Sequence, residues 1–274
     1  MADTDRIAIV RLGPGDAPAG LALSTEARWN QNEADWRYFL TRGTVFGMRD
    51  ATRHLLATAA LLPYASGNAW VSMVLVTESW RRRGLATRLL DACLDAAARL
   101  RLTTWLDATP AGATVYSRLG FTPTIQLRRL RLERTLISSS STLRDGQSGD
   151  FAAHDIHTMG FDRRDFLDEL GRRPGSRLVS HGEAMALVRD GRTARHIGPL
   201  FAESAADALA LVHDIAASEN APLLIDAVAS HEPFLKGLID MDWAVERPFQ
   251  RMRLGRATSE PAELPFAVAG PEYG

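Results

Sequence analysis

The sequence predicts an α/β protein of two tandem halves, each a mixed sheet flanked by helices. Two observations lead there. A chain of 274 residues suits two domains of about 130 residues better than one. The same order of elements is also legible twice: strand, loop, long helix, strand, short helix, strand over residues 69–132, and again over 193–254. With 46% hydrophobic residues but only 7% aromatics, core material is ample and mostly aliphatic, as in a soluble globular chain.

In chain order, residues 6–11 read as a first strand. A helical region starts at about Ser24, breaks near residues 29–32 and resumes over 33–41, with Asn32 as N-cap and Gly43 as stop signal. Apolar segments 44–49 and 55–62 form a hairpin. Residues 69–76 are nearly continuously apolar, as in a strand buried on both faces. From Gly84 onward Leu85, Leu89, Ala92, Cys93, Ala96 and Leu100 recur at helical spacing. A strand at 103–108, a short helix at 112–118 and a long strand at 121–132 complete the first half. The small, polar stretch around 137–150 reads as a linker, which sets domains at 1–136 and 151–256. The second half reads as helix 163–171, strands 177–180, 183–189 and 193–199, helix 204–217, strand 222–228, helix 232–240 and strand 243–254. Residues 257–274 are expected to be a loosely held tail.

Composition narrows the function. A net charge of −1 gives no general attraction to polyanions, so no nucleic-acid partner is expected. The single cysteine, Cys93, excludes an intrachain disulfide and a multi-cysteine zinc site, and its place on an apolar helix face marks it as packing. His154 and His157 lack a surrounding ligand constellation, so no metal is expected. No apolar run is long enough for a membrane span, and the expected setting is cytoplasmic, as a monomer or homodimer.

The segment from Val76 to Thr87 carries chemistry. It joins a buried strand to an amphipathic helix through Trp80, Arg81, Arg82, Arg83, Gly84, Leu85 and Ala86. A helix N-terminus presents unpaired amides and the positive end of its dipole, and so can hold a phosphate. Gly84 lets the backbone approach an anion, Ala86 keeps the first turn open, and three arginines add charge-assisted contacts. A solvated basic helix start is the plainer alternative.

Here the chain resembles the GNAT superfamily of acetyltransferases. Their turn, Gln or Arg, two residues, Gly, one residue, then Gly or Ala, is met by Arg81, Gly84 and Ala86. Downstream, residues 116–121 look like the family's Tyr-x-x-x-Gly-Phe element, and the resemblance covers roughly residues 6–133. It implies tandem GNAT-like domains, each a mixed, mostly antiparallel sheet flanked by helices. It further implies that acetyl-CoA lies between splayed strands. Its pantetheine would lie on the backbone of Val74, Leu75 and Val76, its pyrophosphate on residues 82–87, and Thr109 would also be close. The reaction it implies is direct acetyl transfer to a primary amine of a small molecule. Protein or peptide amines are the variant within that class, and a non-catalytic acyl-CoA sensor is the rival outside it. An aminoacyl-tRNA-dependent transferase would need a basic groove and no such turn.

Such transfer needs an oxyanion donor, for which the backbone at Val74 and Leu75 is the candidate. The departing thiolate needs a proton, for which Tyr116 is the candidate. For removal of the amine proton, Glu26, Glu33, Asp35 and Asp107 are candidates, with Asp107 and Asp35 preferred; a water relay is the alternative. Trp29, Asn30 and Trp36 fall on the segment that covers the acceptor in similar proteins, although Trp36 reads equally as core. In the second half the corresponding turn, residues 200–207, has no arginine–glycine pattern and carries Glu203 and Asp207 instead. That half is therefore expected to be a worn copy that binds no CoA. His181, Arg195 and His196 could line an acceptor pocket but read more simply as surface residues.

Overall fold

The computed structural model describes residues 7–134, 143–220, 222–256 and 263–274. The chain divides into two compact units, Met1–Leu106 and Asp107–Gly274.

The first unit contains β1 (Ile9–Arg11), α1 (Ala17–Glu26), α2 (Glu33–Arg42), β2 (Thr44–Arg49), β3 (Leu55–Tyr64), β4 (Asn68–Val76), α3 (Leu85–Arg99) and β5 (Thr103–Ala108), whose last two residues fall in the second unit. Its strands lie in the order β1-β2-β3-β4-β5. The first three pairs are antiparallel, while β4 and β5 are parallel. Residues 55–62 of β3 are all buried, which demands cover on both faces; α1 and α2 supply one layer and α3 another.

α1 begins seven residues ahead of the expected start at Ser24 and takes in Pro18 and Gly20. Pro18 occupies the first turn, where its missing N–H costs nothing. Gly20 has a packing reason: a Cβ there would lie 2.4 Å from Cε3 of Trp36. Trp36 is fully buried, and its indole N–H donates to Ser24 Oγ at 3.0 Å. The acceptor role expected of Trp36 gives way to this packing between α1 and α2, since no face of the ring is exposed.

The second unit contains α4 (Pro110–Arg118), β6 (Thr122–Leu132), β7 (Arg144–Asp145), α5 (Ser148–Met159), α6 (Arg164–Gly171), β8 (Arg177–His181), β9 (Ala184–Arg189), β10 (Arg195–Phe201), α7 (Ala205–Ser218), β11 (Leu223–Val228), α8 (Glu232–Asp240) and β12 (Ala244–Leu254). Its strands lie in the order β12-β6-β11-β10-β9-β8-β7. Only β10 and β11 are parallel. Each half thus has one parallel pair in an otherwise antiparallel arrangement. A core of Leu130, Ile197, Leu211, Ile215, Ile225 and Phe234 joins the sheet to α7 and α8.

Two expectations need correction. Of the linker, residues 135–142 lie outside the described residues, but 143–150 are not loose chain. They hold β7, paired antiparallel to β8, and the start of α5, a helix that the polar composition concealed. The tail reads differently too. Residues 257–262 lie outside the described residues, while Ala267, Val268, Ala269 and Tyr273 are essentially inaccessible. Ala267 bridges antiparallel to Leu200 of β10 and to Ala227 of β11. The Pro- and Gly-containing composition suggested looseness, but backbone hydrogen bonds and small side chains fit this segment between two strands.

Replacing Gly20 with Ala should destabilise the first half by about 1–3 kcal/mol through overpacking against Trp36, although Ala is the better helix former. A denaturation midpoint equal to or above that of the unaltered chain would show that the indole can move aside.

Candidate active site

In the first unit, β4 and β5 pair only where residues 68–70 face 103–105, and then part although both strands run on. Trp70 and Trp105 stack at the fork with centroids 6.4 Å apart, and Trp105 Nε1 donates to Asn68 Oδ1 at 2.9 Å. Beyond the fork β4 is bulged. Met73 has φ of 52°, and the register with β3 shifts between Ala60–Ser72 and Thr58–Leu75. Thr58 Oγ1 holds the Met73 carbonyl at 2.8 Å. A bulge takes one residue out of the ladder and re-aims its backbone. Here it does so beside Val74, Leu75 and Val76.

β4 then runs through a 3₁₀ turn at Glu78–Trp80 into α3. Gly84 is the N-cap at φ 81°, with no side chain to cap the helix and open space where a Cβ would stand. Helix geometry leaves the amides of Leu85, Ala86 and Thr87 without partners four residues back. These features fit a phosphate. The three arginines differ in what they hold. Arg81 Nε donates to the Val76 carbonyl at 3.2 Å. Arg83 Nη2 donates to the Ser79 carbonyl at 3.2 Å and its guanidinium lies 4.7 Å from the centre of the Trp80 ring. Arg82, exposed and left-handed at φ 60°, makes neither kind of contact. The Cys93 thiol, buried on α3, is pushed up to about 12 by burial and stays inert.

Glu26 joins α1 to this turn. Its carboxylate accepts from the Glu78 amide at 2.6 Å and from Thr77 Oγ1 at 2.9 Å. The Glu78 amide foremost, with the Thr77 hydroxyl and nearby Arg81, holds it below the usual carboxylate range against the opposing effect of burial. Asp35 is fully buried and closes a capping box: its Oδ2 accepts from the Asn32 amide at 2.8 Å, and Asn32 Oδ1 accepts from the Asp35 amide at 3.2 Å. Between the helices, Trp29 is half-buried and Asn30 is buried. Gln31, which the sequence reading passed over, is only 4% exposed with Oε1 lacking a donor among the described residues. Nothing in the spacing of polar residues marks it out.

In the second unit, Tyr116 stands on α4, half-buried, with its ring 5.8 Å from that of Phe121. Its carbonyl accepts from the Phe121 amide at 3.1 Å, and Gly120 at φ 90° allows that turn. Thr109 caps α4, with Oγ1 accepting from the Gly112 amide at 3.3 Å. Asp107 is fully buried, and its two oxygens accept from Arg251 Nε and Nη2, each at 2.9 Å. Burial pushes its carboxyl up, Arg251 opposes that, and Asp226 and Glu272 reinforce burial. Neither Asp107 nor Asp35 exposes an oxygen to an incoming amine; both carboxylates are committed to structure.

The counterpart turn ahead of α7 is closed. Ser204 Oγ accepts from the Asp207 amide at 3.2 Å, and Glu203 and Asp207 flank it. His181 Nδ1 meets Asp214 Oδ2 at 3.0 Å. Arg195 Nε pairs with Glu219 at 2.9 Å, and its Nη1 with Asp190. His196 does not lie on the surface. It is buried on β10 with Nε2 2.9 Å from Asp226 Oδ2, while Asp226 takes a bidentate pair of bonds from Arg129, both at 2.8 Å. Among the described residues no group of metal-ligating side chains occurs, and no helix is long and apolar enough to cross a membrane.

Residues 41–123 and 152–267 each match a family model described as an acetyltransferase (GNAT) domain. The uncharacterized N-acetyltransferase YitH of Bacillus subtilis is 22% identical over 236 residues, covering 81% of this chain and 82% of YitH. A Pyrococcus horikoshii crystal structure assigned as an acetyltransferase matches with a TM-score of 0.82 at 19% identity, covering 98% of this chain and 96% of that one. A tandem GNAT protein from the clavulanic acid biosynthesis pathway matches at 0.63 with 13% identity, covering 92% and 100%.

The Arg129–Asp226–His196 cluster makes the second half acid-sensitive. Burial, then the field of Arg189, lowers the His196 pKa. Folding therefore favours the neutral ring, and stability falls as pH drops below the unfolded value of about 6.5. Burial alone would raise the Asp226 carboxyl, but Arg129 and His196 more than offset it and hold it below the usual range. Its contribution is present above about pH 4 and lost below. Thermal melts from pH 8 to 3 should show two successive declines, and His196→Gln should remove the one nearer pH 6. An unchanged slope there in the variant would rule out His196 as its source.

Proposed function

The chain belongs to the GNAT acetyltransferases and carries two of their domains in tandem, and from that premise we propose that it transfers acetyl from acetyl-CoA to a primary amine of a small molecule, using a cofactor seat in the first half. One observation carries this reading. A parallel strand pair parts at Trp70 and Trp105, and the strand that leaves it leads into an uncapped, arginine-rich helix start. GNAT enzymes take their acyl group from acetyl-CoA, which would supply the activated thioester. The backbone of Val74 and Val76, past the fork, suits the amides of its pantetheine arm. The amides of Leu85, Ala86 and Thr87, with Arg82 beside them, suit its pyrophosphate. Arg81 and Arg83, tied back to their own turn, hold its shape.

The bulge at Met73 frees backbone polar groups at mid-strand, and the Val74 or Leu75 amide is the donor proposed for the developing oxyanion. Tyr116 Oη is proposed to return a proton to the departing sulfur, on the strength of its Tyr-x-x-x-Gly-Phe setting. With Asp35 and Asp107 committed elsewhere, the amine proton is assigned to water. On the acceptor side, Gln31 Oε1 is buried in the α1–α2 loop without a donor among the described residues, and an amine brings N–H donors to it.

Gly84→Glu puts bulk and negative charge where the phosphate would sit, so calorimetry should show cofactor binding abolished. Unaltered affinity would remove the seat from this turn. Tyr116→Phe should keep that affinity while turnover drops by roughly 10²–10⁴-fold; unchanged turnover would make the ring packing only. Gln31→Leu should raise the acceptor KM and spare cofactor affinity, and an acceptor KM that stays put would exclude Gln31 from acceptor binding.

A further inference from the structure

The second half repeats the fork of the first. β10 and β11 pair in parallel only where residues 195–197 face 223–225, and both strands then run on, to Phe201 and Val228. Residues 266–268 lie in the space between them. Phe266 N donates to the Leu200 carbonyl and Leu200 N to the Ala267 carbonyl, both at 2.9 Å. On the other side, Val228 N donates to the Phe266 carbonyl and Val268 N to the Asp226 carbonyl, both at 3.0 Å. The fit is close: a Cβ on Gly198 would stand 2.1 Å from the Val268 carbonyl oxygen, so only glycine admits the segment there. Ala267 is fully buried, and Phe266 stacks on His231 at 4.2 Å and meets Phe234 edge-on at 5.2 Å.

The far end is anchored by buried arginines. Arg189 Nη2 donates to the Ala269 carbonyl at 2.8 Å and to Glu272 Oε1 at 3.1 Å. Arg163 Nη1 donates to the carbonyls of Tyr273 and Gly274 at 2.9 and 2.8 Å, while its Nε and Nη2 hold Asp155.

We propose that residues 266–268 are a built-in occupant of the second domain's cofactor seat, standing between β10 and β11 where an acyl-CoA arm would lie. The second half is thus closed to cofactor by its own chain, and the loss of a phosphate turn at residues 203–207 is a consequence the closure permits. An extended peptide can replace the arm because both offer alternating amide donors and acceptors to strand edges about 4.8 Å away. Ala267 keeps the intruding strand thin, and Arg163 and Arg189 prevent its withdrawal.

Native-state hydrogen exchange on the intact chain tests this, because the amides of Leu200 and Val228 donate to the segment itself. Both should exchange about 10³-fold or more slower than in a free peptide, and saturating acetyl-CoA should leave them unchanged while binding once per chain. Fast exchange at both amides would overturn the proposal. So would acceleration by acetyl-CoA with a second equivalent bound, which would make the segment an exchangeable gate. In the full chain, Ala267→Arg should speed both amides and leave those of β6 slow, and unchanged rates would show that something else protects them. If this variant does not fold, the intact chain decides alone. Failure of acetyl-CoA to bind at all would defeat the proposed function and leave the exchange result standing.

Discussion

Two parallel strands that separate leave backbone donors and acceptors facing each other across a gap, and a buried gap of that kind must be filled by something with peptide-like polarity. This requirement organises both halves. At the fork of β4 and β5, past Trp70 and Trp105, the strands part where the proposed cofactor would lie. At the fork of β10 and β11 the same requirement is met within the chain, by the carbonyls and amides of residues 266–268. One architecture thus serves two ends according to what enters the gap.

The helix start that follows each fork agrees with that division. Ahead of α3 the cap is a glycine with no side chain and nothing near its Cβ position, so first-turn amides stay open to an anion. Ahead of α7 a serine hydroxyl accepts the Asp207 amide, and acidic side chains repel phosphate. A capped start is the more stable one by about 1 kcal/mol. The bare start in the first half therefore runs against helix stability, as expected where a ligand supplies the missing acceptors.

Much of this was legible in the residues. The near-continuous apolar run of β4, the arginine–glycine turn and the helical spacing after it placed a strand, a turn and a helix where the structure has them. The capping box at Asn32 was half-read, since the N-cap was identified while Asp35 stood as a candidate base beside its plainer reading as a cap. The ambiguity has a physical source, because a carboxylate three residues after an N-cap looks the same in sequence whether it caps or titrates. Trp36 was ambiguous for a similar reason, since an aromatic on a helix can line a pocket or fill a core, and the space that Gly20 leaves for it shows only in the structure. Least legible were Arg129, Arg163, Arg189 and Arg251, isolated charges whose carboxylate partners lie 97, 8, 83 and 144 residues away. No local pattern announces a buried pair at such separations.

Those pairs explain why the last segment belongs to the fold despite its loose-looking composition. Removing one partner of a buried ion pair costs about 3–5 kcal/mol, so Arg189 without Glu272 would burden the second half, while Arg163, still held by Asp155, would lose the carbonyls of Tyr273 and Gly274. The field of Glu272 also reaches Asp107, where it adds to burial in pushing the carboxyl up against the pull of Arg251. The segment that fills the fork therefore also completes the charge balance beneath it. Withdrawing it would open the gap and take the Glu272 carboxylate from Arg189 in one step, so occupancy of the second fork is coupled to the stability of the half that contains it.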